Sequence, residues 1–288
     1  MIEIKQQVRE FYDQVGWQEI GAGVYQNATY EDLRPVSRAY IHQCHLRVNR
    51  HLRPRGKYLL DAGSGPIQYP EYLTYSQGYQ YRVCADISEV ALQEARKRIG
   101  NGAGLFIVAD IANLPFKPEV FEGVVSLHTI HHLPVEEHVR AYGELYRVLA
   151  DGCTAVIVNG WGSAPLKSLA LGMVRAAIFT AIVVRLRGKV GRGGQQPPEH
   201  RRAEEGSPTA RGTFVRKHNP AWLEREIGSQ MPLKIYVWRT FGVKFLRTFI
   251  HPRLAGRGLL RLLYWLEERF PRALGRNGQY PLIVIRKE

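Results

Sequence analysis

Tyr58-Leu59-Leu60-Asp61-Ala62-Gly63-Ser64-Gly65-Pro66 is an apolar run that ends in an acid and opens into a glycine loop. Two further runs follow the same plan, Arg82-Val83-Cys84-Ala85-Asp86 and Leu105-Phe106-Ile107-Val108-Ala109-Asp110. In an open parallel sheet the ligand crevice lies beyond the carboxyl ends of the strands, so acids at three strand ends converge on one site. Gly63 and Gly65 allow the backbone to turn sharply out of a strand and come close to a ligand, because they carry no Cβ. A crevice of that composition suits a ligand rich in hydroxyls and amines.

Downstream, Phe121-Glu122-Gly123-Val124-Val125-Ser126-Leu127-His128-Thr129-Ile130-His131-His132-Leu133 reads as a fourth strand with its following loop. Arg140 to Leu149 and Thr154 to Val158 continue with a helix and a fifth strand. Over about residues 55–160 these segments resemble the class I S-adenosylmethionine-dependent methyltransferases, specifically their type 11 branch. The resemblance implies that Asp61, Gly63, Ser64 and Gly65 wrap the methionine part of S-adenosyl-L-methionine. It implies further that Asp86 with Ile87 takes the ribose, that Asp110 with Ile111 meets the adenine, and that His128 borders the methyl group. One departure is plain: where many members carry a third glycine, Ile67 follows Pro66.

A dinucleotide site is the rival for such a loop, and its Gly-x-Gly-x-x-Gly fingerprint would need a glycine where Gln68 stands. It also needs a helix N-terminus facing a pyrophosphate. The acids around this loop suit a sulfonium cation and an adenosine better.

The expected fold is α/β, a Rossmann-like doubly wound seven-stranded sheet, mostly parallel with an antiparallel last strand. Short apolar runs alternating with helical patterns such as Glu89 to Ile99 carry that expectation. Leu233 to Phe241 and Tyr280 to Arg286 supply the sixth and seventh strands. Four regions follow: 1–54 an N-terminal helical lid, 55–162 the cofactor-binding core, 163–220 an insertion forming a cap with a flexible basic loop, and 221–288 the end of the sheet. The last region holds a second helical insertion at about 242–279. Val8-Arg9-Glu10-Phe11-Tyr12-Asp13 resembles the helix that closes over the cofactor in relatives, so Tyr12 is either a lid residue or an aromatic on the core face of its helix.

The formal net charge is +14. Residues 163–220 hold 11 Lys plus Arg against 3 acids, and residues 239–288 hold 11 against 3, so the basicity belongs to the insertions and the core is near neutral. From Leu259, the residues Leu262, Leu263, Leu266 and Phe270 fall at helical spacing on one face, with Arg253, Arg257 and Arg261 nearby. A stripe of this kind ordinarily packs on its own sheet, with its arginines solvated. The alternatives are a lid over a greasy anionic substrate or a face lying on an anionic membrane surface. Ser168 to Val184 is a second apolar segment, too short and too interrupted by Arg175 to expect a membrane span. Gly188 to Gly212 reads as flexible loop.

Cys44, Cys84 and Cys153 are scattered, and Met1 to Lys5 opens no signal-peptide pattern, so a cytoplasmic protein is expected, peripheral to the inner face of a membrane if the cap binds lipid. No metal site is expected. Of the histidines, His128, His131 and His132 are candidates for a general base, set against a purely structural role in shaping the pocket. No Asn-Pro-Pro-Tyr motif follows the fourth strand, where Ser126-Leu127-His128-Thr129 stands, which favours oxygen or carbon acceptors over amino groups of nucleobases. The acceptor is expected to be small or lipid-like, and nucleic acid is disfavoured as a partner because no stacking platform accompanies the basic residues. Methylation of RNA or another polyanion, and binding of S-adenosylmethionine without catalysis, are the alternative functions.

Overall fold

The computed structural model describes residues 2–21, 24–190 and 213–288. Seven strands form one sheet: β1 (Gly56–Ala62), β2 (Tyr79–Asp86), β3 (Gly104–Val108), β4 (Phe121–Leu127), β5 (Leu149–Val158), β6 (Leu233–Arg239) and β7 (Tyr280–Arg286). Their order is β3-β2-β1-β4-β5-β7-β6, with β7 antiparallel to both its neighbours and the rest parallel. The chain enters at the middle, winds outward to β3, then returns beside β1 with β4. Between β1 and β4 the winding reverses, and a crevice opens there beyond the strand ends.

The helices are α1 (Ile2–Phe11), α2 (Arg38–Leu46), α3 (Glu89–Ile99), α4 (His138–Val148), α5 (Pro165–Val190), α6 (Pro220–Glu226), α7 (Val243–Phe249), α8 (Gly256–Arg269) and α9 (Pro271–Asn277). Local chemistry sets their ends. Ser88 accepts a hydrogen bond from the Ala91 amide at the start of α3, Gly100 closes that helix at φ +80°, and Asn219 caps α6 through the Trp222 amide. Leu60, Val124, Leu145, Ala155 and Ile283 pack on one side of the sheet, and Leu59, Cys84, Val125, Val156 and Trp238 on the other. Residues 1–54 are not helical throughout: a short two-stranded ribbon, Glu19–Gly21 with Val24–Tyr25, lies between α1 and α2.

The insertions form helices, and here two expectations change. The segment expected as loop from Gly188 begins inside α5, which runs to Val190; residues 191–212 lie outside the described residues. The stripe on α8 does not pack on the sheet. Leu259, Leu262, Trp265 and Phe270 are exposed, Leu263 and Leu266 are half-buried, and the helix buries Gly256, Leu260 and Glu267 instead. The cause is polar. Glu267 is fully buried and accepts hydrogen bonds from Arg47 Nη1 (3.0 Å), Tyr40 Oη (2.8 Å) and the Thr240 amide (2.8 Å). A buried carboxylate without such partners is costly, so these contacts fix the rotation of α8 and turn the leucines outward. On α5, Ala170 and Val174 are buried, whereas Leu169, Leu171, Met173, Ile178 and Phe179 face solvent. No described helix is long and apolar enough to cross a membrane.

Candidate active site

A cavity of about 340 Å³ lies in the crevice, roofed by α1. Gly63, Ser64, Gly65 and Asp61 line it from the end of β1, Asp86 and Ile87 from β2, and Asp110 and Ile111 from beyond β3. His128, His131 and His132 face it from the loop after β4, and Tyr12 from the turn that follows α1. All the residues singled out by sequence therefore meet in one place.

The glycine loop has the geometry its residues permit. Gly63 has φ +73°, and a Cβ there would sit 2.1 Å from Thr129 Cγ2; Gly65 has φ +55°. Ile67, at the place of the missing glycine, also has a left-handed φ of +55° while being fully buried. A β-branched side chain in that conformation costs about 1–2 kcal/mol. Burial of its apolar side chain offsets that strain, and Arg98 holds the Ile67 carbonyl at 2.7 Å. The amides of Gly63 and Ser64 donate to Ala85 O and that of Gly65 to Asp86 Oδ2. These three donors are engaged by the end of β2, so they do not form a phosphate cradle.

The three acids differ in their surroundings. Asp61 is buried against the guanidinium of Arg82, which reaches it through Nε (3.1 Å) and Nη2 and also donates to Tyr72 O. Asp110 receives Lys5 Nζ at 2.5 Å and the Ala112 amide at 2.9 Å, and Lys5 pairs with Glu137 as well. Asp86 meets no cation among the described residues: its oxygens accept the Gly65 amide (2.8 Å) and the Ser88 amide (2.9 Å). Burial pushes its carboxyl up to about 6, the two amides opposing, with Asp61 and Asp13 adding to the rise. Asp61 and Asp110 thus each meet a counter-charge from their own chain, Arg82 and Lys5.

The histidines are neutral. Burial pushes His128 down to about 3, His132 to about 4 and His131 well below its ordinary value. His132 Nδ1 donates to Phe214 O (2.8 Å), leaving Nε2 to accept from the Tyr12 hydroxyl (2.8 Å). Tyr12 in turn stacks on Trp17 at 4.8 Å. His131 Nδ1 lies 3.2 Å from Asn159 Oδ1, and His128, at φ +58°, packs between Trp238 and Tyr280. An imidazole with a depressed pKa is a weak proton acceptor at neutral pH, so these rings shape and orient more readily than they deprotonate.

Sequence reasoning missed several lining residues: Lys5, Trp17, Glu31, Tyr69, Lys217 and Arg239. Glu31 and Arg239 form a buried ion pair, and the guanidinium brings the Glu31 carboxyl down to about 2 against the opposing effect of burial. Only the fold places these residues in the cavity, for none stands at a motif position.

The arrangement fits an adenosyl ligand. Asp86 keeps lone pairs for a ribose diol, Ile87 and Ile111 offer apolar walls for a base, and the close approach of Gly63 leaves room that a side chain would fill. The sheet order and the crevice beyond the strand ends are those of the Rossmann-like methyltransferase fold. Residues 60–157 match the type 11 family described as a methyltransferase domain, and S-adenosylmethionine is the cofactor of that domain. A probable tRNA methyltransferase 9B of Mus musculus is 26% identical over 129 residues, 44% of this chain and 27% of that protein. The eEF1A lysine and N-terminal methyltransferase of Mus musculus is 28% identical over 123 residues, 42% of this chain and 17% of that protein. The chain thus spans about a quarter or less of the length of these curated relatives. Geranyl diphosphate C-methyltransferase from Streptomyces coelicolor A3(2), solved with Mg2+, geranyl diphosphate and S-adenosyl-L-homocysteine, shares the fold with a TM-score of 0.54 at 13% identity. That likeness covers 99% of this chain and 98% of the other.

Proposed function

We propose that the protein transfers a methyl group from S-adenosylmethionine to a small or lipid-like acceptor, at oxygen or carbon. The observation that carries this reading is the single cavity, which runs from the acids of the cofactor end past the histidine loop to Val215, Lys217 and Tyr280. An acceptor bound there lies beside α1 and the turn after it, which cross the crevice through the Lys5–Asp110 and Tyr12–His132 contacts. The cofactor supplies an activated sulfonium methyl; the protein's part is to hold donor and acceptor in line and exclude water. Asp86 anchors the ribose, Asp110 the adenine amine, and Tyr12 with His132 fixes the wall beside the methyl.

The outward apolar residues of α5 and α8, flanked by Arg175, Arg253, Arg257 and Arg261, support a cap that lies on an anionic bilayer, where such an acceptor would be met. Isotope transfer from labelled S-adenosylmethionine to lipid extracts, with RNA in parallel, tests the acceptor. The RNA reading has support in the net charge and in the relative named as a tRNA methyltransferase. Transfer to RNA with none to lipid or small molecules overturns the proposal, and binding of S-adenosylhomocysteine without transfer to anything favours a non-catalytic role.

A further inference from the structure

The cavity is electrostatically lopsided. At its cofactor end Asp61 is matched by Arg82 and Asp110 by Lys5. Across it, beside the histidine loop, Lys217 lines the wall, and among the described residues no acid faces it. The segment that carries it is held by the Arg216 amide, which donates to His131 O at 2.8 Å, and the end of the Lys217 side chain, ammonium included, lies over Gly160. The charged group nearest in effect is another cation, Lys167, whose ammonium donates to Trp161 O and Gly162 O. Arg239 shares the cavity, but Glu31 takes its charge.

Two hydroxyls lining the same cavity also want partners. Tyr69 is 9% exposed, with the Gln68 amide nearby, and neither its Oη nor Thr213 Oγ1 makes a well-formed hydrogen bond among the described residues, although both atoms are buried. Buried donors left without acceptors destabilise a fold unless a ligand supplies them. A half-buried ammonium and two such hydroxyls lining one cavity call for a ligand with oxygen acceptors and a negative charge.

We propose that the acceptor bears an acidic oxygen, a carboxylate, a phosphate or an ionised hydroxyl, and that Lys217 binds it while Tyr69 and Thr213 donate to the same molecule. This rests on the methyl-transfer reading and narrows its substrate class. The cofactor's own carboxylate is the other source of such an oxygen, and the experiment separates the two.

S-adenosylhomocysteine is first titrated into the wild type, Lys217→Met and Lys217→Arg by calorimetry. The S-adenosylhomocysteine-loaded proteins are then melted with octanoate, 4-hydroxybenzoate or phenyl phosphate, each against its neutral counterpart octanol, 4-hydroxybenzamide or phenol. Equal S-adenosylhomocysteine affinity in all three proteins is expected. At least one acid should bind the wild type better than its neutral counterpart, with that preference weakened about tenfold or more in Lys217→Met and partly kept in Lys217→Arg. A tenfold loss of S-adenosylhomocysteine affinity in Lys217→Met would assign the lysine to the cofactor and overturn the proposal, as would the absence of any acid preference in the wild type. Failure of the wild type to bind S-adenosylhomocysteine at all would strike the methyl-transfer reading instead, and the acid-against-neutral comparison in ligand-free protein would still judge Lys217.

Discussion

Helices α4 and α8 are both amphipathic, yet they use their two faces in opposite ways. On α4 the buried residues are His138, Ala141, Tyr142, Leu145 and Val148, an inward stripe at helical spacing that packs on β5. On α8 the buried residues include Glu267, and the exposed ones include Leu259, Leu262 and Trp265. Periodicity reveals that a helix has an apolar face; it does not say which way the face points. That is decided by the strongest local demand, apolar area on α4 and a buried carboxylate among Arg47, Tyr40 and Thr240 on α8.

The most disruptive test of this contrast is Glu267→Ala, which takes from Arg47 the more buried of its two carboxylate partners and leaves Tyr40 Oη and the Thr240 amide without their acceptor. A loss of about 3–5 kcal/mol in urea unfolding is expected, with α8 free to rotate. A loss below about 1 kcal/mol would mean that the carboxylate does not set the helix orientation.

Reversal of the surface charge comes next. Arg253, Arg257 and Arg261→Glu should reduce partitioning onto anionic liposomes about tenfold or more while leaving unfolding nearly unchanged. Partitioning as strong as the wild type's would remove the membrane from the reading of α8.

At the sheet end, Asp86→Ala should weaken S-adenosylhomocysteine binding by roughly 1–3 kcal/mol through loss of the ribose contacts. Wild-type affinity should also fall as the pH drops through about 6, where the Asp86 carboxyl takes up a proton in the ligand-free protein. Burial disfavours the ionised form, and a ligand whose hydroxyls donate to the carboxylate must expel that proton. Calorimetry in buffers of different ionisation enthalpy at pH 5–6 should therefore register proton release on binding. An affinity flat from pH 5 to 8 would separate Asp86 from the ribose.

The smallest effect is expected for Leu262→Ser, which changes an exposed residue and should move stability by no more than about 0.5 kcal/mol. A larger loss would mean that the residue is covered in solution.

The same contrast explains what the sequence disclosed. The seven-stranded sheet with its antiparallel last strand, the glycine loop and the meeting of Asp61, Asp86 and Asp110 were legible because local pattern and global fold agree there: each of the first three strands runs into its own acid. The partners of those acids were not legible, since Arg82 pairs with Asp61 across strands and Lys5 reaches Asp110 from a helix more than a hundred residues away. Lys217, Tyr69 and Arg239 lie outside any motif and enter the cavity only through tertiary placement. The stripe of α8 was legible as a stripe, but not which way it points, because Glu267 looks like an ordinary surface acid until Arg47 is brought beside it.

Ile67 has a last consequence, for the thermodynamics of ligand capture. A glycine in its place could sample many backbone states before a ligand arrives and would lose that freedom on binding. The isoleucine, locked in its left-handed turn by full burial, has already surrendered it during folding. Binding at this loop should accordingly carry a smaller entropic loss than at a three-glycine loop, and the loop amides should exchange slowly with solvent even in the ligand-free protein.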